Sequence, residues 1–285
     1  MISIIITSFK EPKTIGKAIE SFLNQKIREK YEIIVCAPDK ETLDVAKKYN
    51  NVRIFKDPGK GKPTALNLVI KKAKGDILIL TDGDVYVSKN SVANLLKHFR
   101  DKSIGAVSGK PVSLNSKGNI FGYWAYILTE GMHFQRLKRV DVCSGYLYAI
   151  RKKAFENIPQ NILADDAYIS LSILKKGYKI LYEPKSEVYI KSPSNLKDWI
   201  RQKKRTAGRF YQLKQFGLLK SKTHELVFEL ESGIKTLKLV RNFKQIVFFI
   251  LLVIMRFYIW FRVMFDFRLW KRGFKKTWQR VESTK

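Results

Sequence analysis

Asp76-Ile77-Leu78-Ile79-Leu80-Thr81-Asp82-Gly83-Asp84 is an apolar run that stops abruptly in two aspartates one residue apart. The run reads as a core strand. Residues i and i+2 of an extended segment point the same way, so Asp82 and Asp84 can converge, and Gly83 admits close approach to the backbone. Paired carboxylates in that position suit a hard divalent cation such as Mg2+ or Mn2+, shared with substrate phosphates. Asp and Gly are also ordinary turn residues, so taken alone the stretch fits a simple turn equally well.

Upstream of this run, strands alternate with helices. Met1–Ser8 is a β-branched apolar run, and Ile15, Ile19, Phe22 and Leu23 follow at helical spacing. Glu32–Ala37 and Val52–Phe55 read as further strands. They are separated by a helix carrying Leu43, Val45 and Ala46, and a helix with Ala65, Leu66, Leu68, Val69 and Ile70 leads into the opening run. Such alternation predicts an α/β fold, a largely parallel Rossmann-like sheet flanked by helices. Ligands of such sheets gather beyond the carboxyl ends of the strands, where Thr7, Ser8, Asp39, Asp82 and Asp84 fall. Gly59-Lys60-Gly61-Lys62 is a flexible basic loop suited to a phosphate, or simply a solvated one. It lacks the GxxxxGKS/T pattern of a P-loop.

Composition bounds the remainder. The chain has 285 residues, 45% of them hydrophobic, enough for a full core. Cys36 and Cys143 stand far apart without metal-ligand spacing, so buried free thiols in a reducing compartment are expected. No basic region precedes the first apolar run and no small-residue cleavage site follows it, so no signal peptide is expected. The formal charge is +30, and the last 100 residues carry +16 of it. That tail suits an anionic partner: phospholipid, nucleic acid or a phosphorylated substrate.

From Phe243 the chain turns strongly apolar, with an uninterrupted core at Ile246–Met255 that is half the length of a spanning helix. Including Arg256 and Arg262 the run reaches Phe265, and basic residues flank it on both sides. Lys235, Lys238, Arg241 and Lys244 precede it; Arg268, Lys271, Arg272, Lys275 and Lys276 follow. Symmetric basic flanks favour a helix lying in the interface of an anionic membrane, with Trp260, Trp270 and Trp278 near the headgroups, over a single span. The expected organisation is therefore a domain over 1–215 and a basic helical extension over 216–285, membrane-associating at about 243–265.

Several short motifs, in order, resemble the inverting glycosyltransferases of family 2, which have the GT-A fold. They are Ile4–Phe9 with Glu11, Glu32–Val35 leading to Asp39, Gly61-Lys62-Pro63-Thr64-Ala65-Leu66-Asn67, and Thr81-Asp82-Gly83-Asp84 as a DxD motif. Cys143-Ser144-Gly145 with Tyr148–Arg151, Ala164-Asp165-Asp166, and Gln202-Lys203-Lys204-Arg205-Thr206 extend the likeness to about residue 210. The last is similar to the QxxRW motif of the cellulose and hyaluronan synthase-like branch, but Thr206 replaces the Trp that helps hold a growing polymer.

The resemblance implies a metal-dependent, inverting hexosyltransferase using a nucleotide-sugar, UDP-linked, with Mn2+ or Mg2+. Its acceptor would be a glycan or lipid-linked molecule at the cytoplasmic membrane face. Asp166 would deprotonate the acceptor hydroxyl, its pKa raised by Asp165 beside it. Both aspartates also fit the start of a helix over 167–176. Thr7, Ser8, Glu11 and Asp39 would bind base and ribose, with Asp82 shared between ribose and metal. Asp84 would be the main metal ligand, Lys62, Gln202 and Arg205 would contact base or phosphates, and His133 is a candidate third metal ligand. Two competing readings are a sugar nucleotidyltransferase, whose glycine-rich signature is missing near the first strand, and a basic nucleic-acid-binding protein, which leaves the ordered aspartates unexplained.

Overall fold

Alternation along the first strand, β1 (Ile2–Thr7), sends Ile4 and Ile6 to one face of a sheet and Ile5 to the other. Both faces are covered, which is why the strand carries isoleucine on both and no charged residue. The computed structural model describes residues 1–218, 231, 233–266 and 282–284. The predicted alternation continues through α1 (Ile15–Leu23), β2 (Tyr31–Ala37), α2 (Lys40–Ala46), β3 (Val52–Lys56), α3 (Lys62–Lys72) and β4 (Ile77–Asp82). β3, β2, β1 and β4 lie side by side and parallel. One apolar layer packs Ile4, Ile33, Val35 and Ile79 with α1 and α2; the other packs Ile5, Ile34, Leu78 and Leu80 with α3.

Beyond β4 antiparallel pairings enter the sheet. The chain adds β5 (Tyr86–Val87), α4 (Ser91–Leu96), β6 (Ile104–Ser113), α5 (Ile120–Lys138) and β7 (Leu147–Arg151). β7 inserts between β4 and β6, antiparallel to both. After α6 (Asp165–Lys175), β8 (Lys179–Ile190) pairs parallel to β6 and antiparallel to β5, completing eight strands. The expected α/β sheet is present, parallel from β3 through β4 and between β6 and β8, with antiparallel pairings at β7 and β5. The reversal matters for the site, because β7 starts where β4 ends. Thr81 donates from Oγ1 to the Tyr146 carbonyl at 2.7 Å, tying the turn before β7 to the end of β4.

A third apolar cluster joins α5, α7 (Leu196–Gln215) and α8 (Phe243–Met264). α8 presents Leu252, Ile259 and Val263, with Phe248, Met255 and Trp260, to Tyr123, Trp124 and Trp199. Trp124 donates from Nε1 to the Phe248 carbonyl at 2.7 Å, and its ring lies 4.9 Å from that of Trp199. Near the other end, the Lys204 ammonium meets Asp266 at 2.5 Å. Phe243, Ile246, Val247, Ile250, Ile254, Phe257 and Phe261 recur at helical spacing on the opposite side and are exposed, Phe243 to 79% and Phe257 to 66%. The helix is long and apolar enough to cross a membrane by length and composition. Arg268, Trp270, Lys271, Arg272, Lys275, Lys276 and Trp278 lie outside the described residues.

Candidate active site

The carboxyl ends of β1 and β4 meet the first turns of α3 and α6, and the carboxylates there converge on one cation. Lys62 opens α3 just after Gly61, which adopts a φ of 97° that favours glycine. Its ammonium lies 2.6 Å from Asp82 Oδ1 and 3.5 Å from Asp165 Oδ2. Burial opposes the charge on Lys62, but Asp165 and Asp82 outweigh it and raise the pKa. Thr7 completes the group, donating from Oγ1 to the Thr81 carbonyl at 3.2 Å and reaching Asp82 Oδ1 at 3.5 Å.

Asp165 and Asp166 are the first two residues of α6, where the helix dipole favours negative charge. Neither caps it through its side chain from the N-cap position, which is Ala164. Asp166 accepts from the Gly145 backbone N–H at Oδ2, 3.0 Å away, and from the Ala167 N–H at Oδ1, 2.8 Å away. The expected rise in pKa falls on Asp165: burial raises it, Lys62 opposes, and Asp166 adds to the rise. A Cβ at position 145 would stand 3.0 Å from Asp166 Oδ2, so glycine is what lets this carboxylate reach the backbone.

Tyr146 is a site residue that the sequence reading missed. Burial first, then Asp84, Asp82 and Asp166 against the pull of Arg205, push its phenol up to about 12. One side chain thus samples the DxD pair, the candidate base and the α7 arginine together. The available signal was its place directly after Gly145 in an already conspicuous turn. Gln202, from α7, lines a cavity with Tyr146, Thr129, Met132, Ile190 and Trp199. Thr206, where the resembled motif has Trp, is exposed and turns its hydroxyl back to the Gln202 carbonyl at 3.0 Å.

Other candidates are engaged in holding the site together. Asp39 caps α2, accepting at Oδ1 from the Thr42 N–H at 3.0 Å and at Oδ2 from the Lys10 N–H at 2.7 Å. Burial opposes its charge, but these donors and the Thr42 hydroxyl bring its pKa down. Ser8 donates to Glu11 Oε2 at 2.7 Å, and both are buried beneath Gly83. His133, the candidate third metal ligand, has its Nδ1 2.8 Å from the Tyr182 hydroxyl. Among the described residues no three or more His, Cys, Asp or Glu side chains are gathered as a metal cage. Cys36 and Cys143 are both buried and free, as expected.

Gly83 gives a sharp test of this packing. A Cβ there would meet Ser8 Oγ at 2.4 Å and Glu11 Oε2 at 2.7 Å. Gly83→Ala should therefore cost about 1–3 kcal/mol in stability by overpacking and displace the flanking aspartates. Urea denaturation checks it, and a variant as stable as the parent would contradict the close fit.

Comparisons with known proteins give the chain a family and a fold. A model of the "Glycosyltransferase like family 2" matches residues 1–208. A poly-beta-1,6-N-acetyl-D-glucosamine synthase of Staphylococcus aureus is 27% identical over 221 residues, covering 72% of this chain and 53% of its own. The chain thus spans about half the length of the curated relatives it matches. A mannosyltransferase of Pyrobaculum calidifontis, solved with GDP-Man and Mn2+, superposes with a TM-score of 0.67 at 16% identity, covering 95% of this chain and 88% of its own. S. aureus TarS, solved with UDP, superposes with a TM-score of 0.53 at 16% identity, covering 73% of this chain and 64% of its own. The fold is that of the GT-A glycosyltransferases.

Proposed function

The chain belongs to glycosyltransferase family 2, and on that premise we propose that it is a metal-dependent, inverting hexosyltransferase. It moves a sugar from a nucleotide-sugar, UDP-linked, to a glycan or lipid-linked acceptor at the cytoplasmic face of a membrane. The observation that carries the reading is the convergence of Asp82 and Asp165 on the Lys62 ammonium, with Asp166 next in the chain. A cation already occupies the space between the end of β4 and the start of α6. The oxygen donors of Asp82 and Asp84 fit Mn2+ or Mg2+ if substrate phosphates complete the coordination, since the described residues supply no closed cage. The Mn2+ and GDP-Man of the Pyrobaculum enzyme and the UDP of TarS support a metal and a nucleoside diphosphate.

When bound, such an ion would neutralise charge developing on the departing diphosphate. This chain's own residues do the rest. Lys62 and Arg205 hold phosphate oxygens, with Gln202 alongside, while Thr7, Ser8, Glu11 and Asp39 shape the base and ribose end. Asp166 takes the proton of the acceptor hydroxyl as the new bond forms at the anomeric carbon and the bond to the diphosphate breaks. Asp165 keeps Lys62 in place through its charge. The exposed face of α8 lies in the headgroup region, and its docked face fixes the domain against that surface. A nucleotide-sugar panel tests the donor: metal-dependent thermal stabilisation by one nucleotide family is expected. No stabilisation by any nucleotide would oppose the reading, and salt-sensitive RNA or DNA binding in its place would favour the nucleic-acid alternative.

A further inference from the structure

The chain that leads into Asp165 and Asp166 is held by two side-chain amides. Residues 155–164 lie outside every helix and strand, so their backbone N–H and C=O groups need partners from elsewhere. Asn67 of α3 supplies one pair: its Nδ2 donates to the Ile158 carbonyl and its Oδ1 accepts from the Ile158 N–H, both at 2.8 Å. Gln212 of α7 supplies the other: its Nε2 donates to the Asn161 carbonyl and its Oε1 accepts from the Leu163 N–H, both at 2.6 Å. A carboxamide suits the task because it carries a donor and an acceptor side by side on one planar group. Gln212 is only 3% exposed, and Leu213 beside it packs with Ile158 and Ile162 in the apolar layer shared with α3 and α6. A polar side chain buried there is costly unless both ends of its amide are paired, as they are.

The two clamps stand at different distances from the chemistry. Asn67 holds the chain at Ile158, and the turn that follows Pro159 separates that point from the aspartates. Gln212 holds Leu163, from which one extended residue, Ala164 at φ −137° and ψ 91°, leads to Asp165. So short a connection cannot absorb a shift, and the first turn of α6 moves with Leu163. The helix that carries Gln212 also carries Gln202 and Arg205, with Arg205 two turns earlier on the same face. One amide thus ties the start of α6 to the helix assigned to the donor phosphates. From the other side, the Gly145 N–H holds Asp166 at 3.0 Å.

We propose that Gln212 is a positioning residue for the transfer step: by holding Leu163 against α7, it sets where the Asp166 carboxylate stands relative to the donor. The inference rests on Asp166 as the base that takes the acceptor proton. Proton transfer at the moment of bond formation is sensitive to placement, and a misplacement of about 1 Å can cost about a hundredfold in rate. Both polar atoms of the Gln212 amide are engaged by the backbone, so its loss should be felt in kcat and not in donor binding.

The test is a double-mutant cycle in the full-length protein: parent, Gln212→Met, Asp166→Asn and the double variant, each assayed for transfer with Mn2+ and the donor selected by the nucleotide panel. Met keeps the length of Gln and removes both hydrogen bonds. Well below its melting temperature, Gln212→Met protein should show kcat lowered about thirtyfold, with nucleotide Kd within about twofold of the parent. On the Asp166→Asn background the same change should alter kcat less than about twofold, because the base that it positions is gone. A role in stability alone predicts a lower melting temperature with parental kcat, and a general loosening of the site predicts an equal loss on both backgrounds or weakened nucleotide binding. Any of these would overturn the proposal. Should Gln212→Met fail to fold, Gln212→Glu carries the cycle, since it keeps an acceptor for the Leu163 N–H and loses only the bond to the Asn161 carbonyl. Its expected loss is about threefold or more, again absent on the Asp166→Asn background, and parental kcat or an equal loss on both would overturn the proposal. Full transfer by Asp166→Asn protein would remove the base and the positioning role with it, whereas an impaired Asp166→Asn beside a fully active Gln212→Met would overturn the positioning role alone.

Discussion

Asp166→Asn protein is expected to bind nucleotide-sugar like the parent and to transfer sugar about a thousandfold more slowly, within the range measured for removal of a general base. That loss corresponds to about 4 kcal/mol of transition-state stabilisation. Asp166 takes the Gly145 N–H on Oδ2 and the Ala167 N–H on Oδ1, so Asn, with one acceptor oxygen, keeps one of the two bonds, and the α6 helix that starts there should still form. Asn cannot take up the acceptor proton. The expected split is therefore a fall in kcat with little change in donor affinity. Asp165→Asn should behave differently, because Asp165 shares Lys62 with Asp82. Its effect should appear in donor binding, through a Lys62 no longer held from both sides. Full transfer activity in Asp166→Asn protein would remove Asp166 from the mechanism.

The second large effect concerns α8. Ile250, Phe257 and Phe261 stand on its exposed face, away from the contacts with Tyr123, Trp124 and Trp199. Changing all three to Glu should release the protein from anionic vesicles. If each side chain gains about 1 kcal/mol from partial burial among acyl chains, the partition coefficient falls by a factor of more than about a hundred. The docked face is untouched, so the far-ultraviolet circular dichroism should be unchanged. Vesicle flotation reads the result directly. A single span would hold the variant in the membrane or prevent insertion altogether, whereas an in-plane helix yields folded protein in the soluble fraction.

These expectations also mark what could be read in the chain. The opening run fixed the register of the central strand and the two aspartates at its end, since burial on both faces leaves no other pattern. The order of motifs then placed Lys62, Asp165 and Asp166 at the same edge. Strand direction was not legible: Leu147–Ile150 is equally apolar read either way, and only its pairing with β4 shows that β7 runs antiparallel. The orientation of α8 was not legible for a related reason. Apolar residues occupy nearly the whole circumference because one stripe meets α5 and α7 and the other is exposed, so no polar face signals its orientation. Asp39 illustrates a third case. An aspartate after a strand fits a ribose ligand or a helix cap, and only the bond from the Thr42 N–H reveals the cap.

The central claim is that carboxylates at the end of β4 act on a nucleotide-sugar through a divalent ion. It is tested most directly by following nucleoside diphosphate release from the donor selected in the panel, with Mn2+ and with chelator, for the parent and for Asp84→Ala. The account predicts release by the parent with Mn2+ only, and none above background from Asp84→Ala under either condition. Release that persists in chelator, or that proceeds at the parent rate in Asp84→Ala, would contradict it.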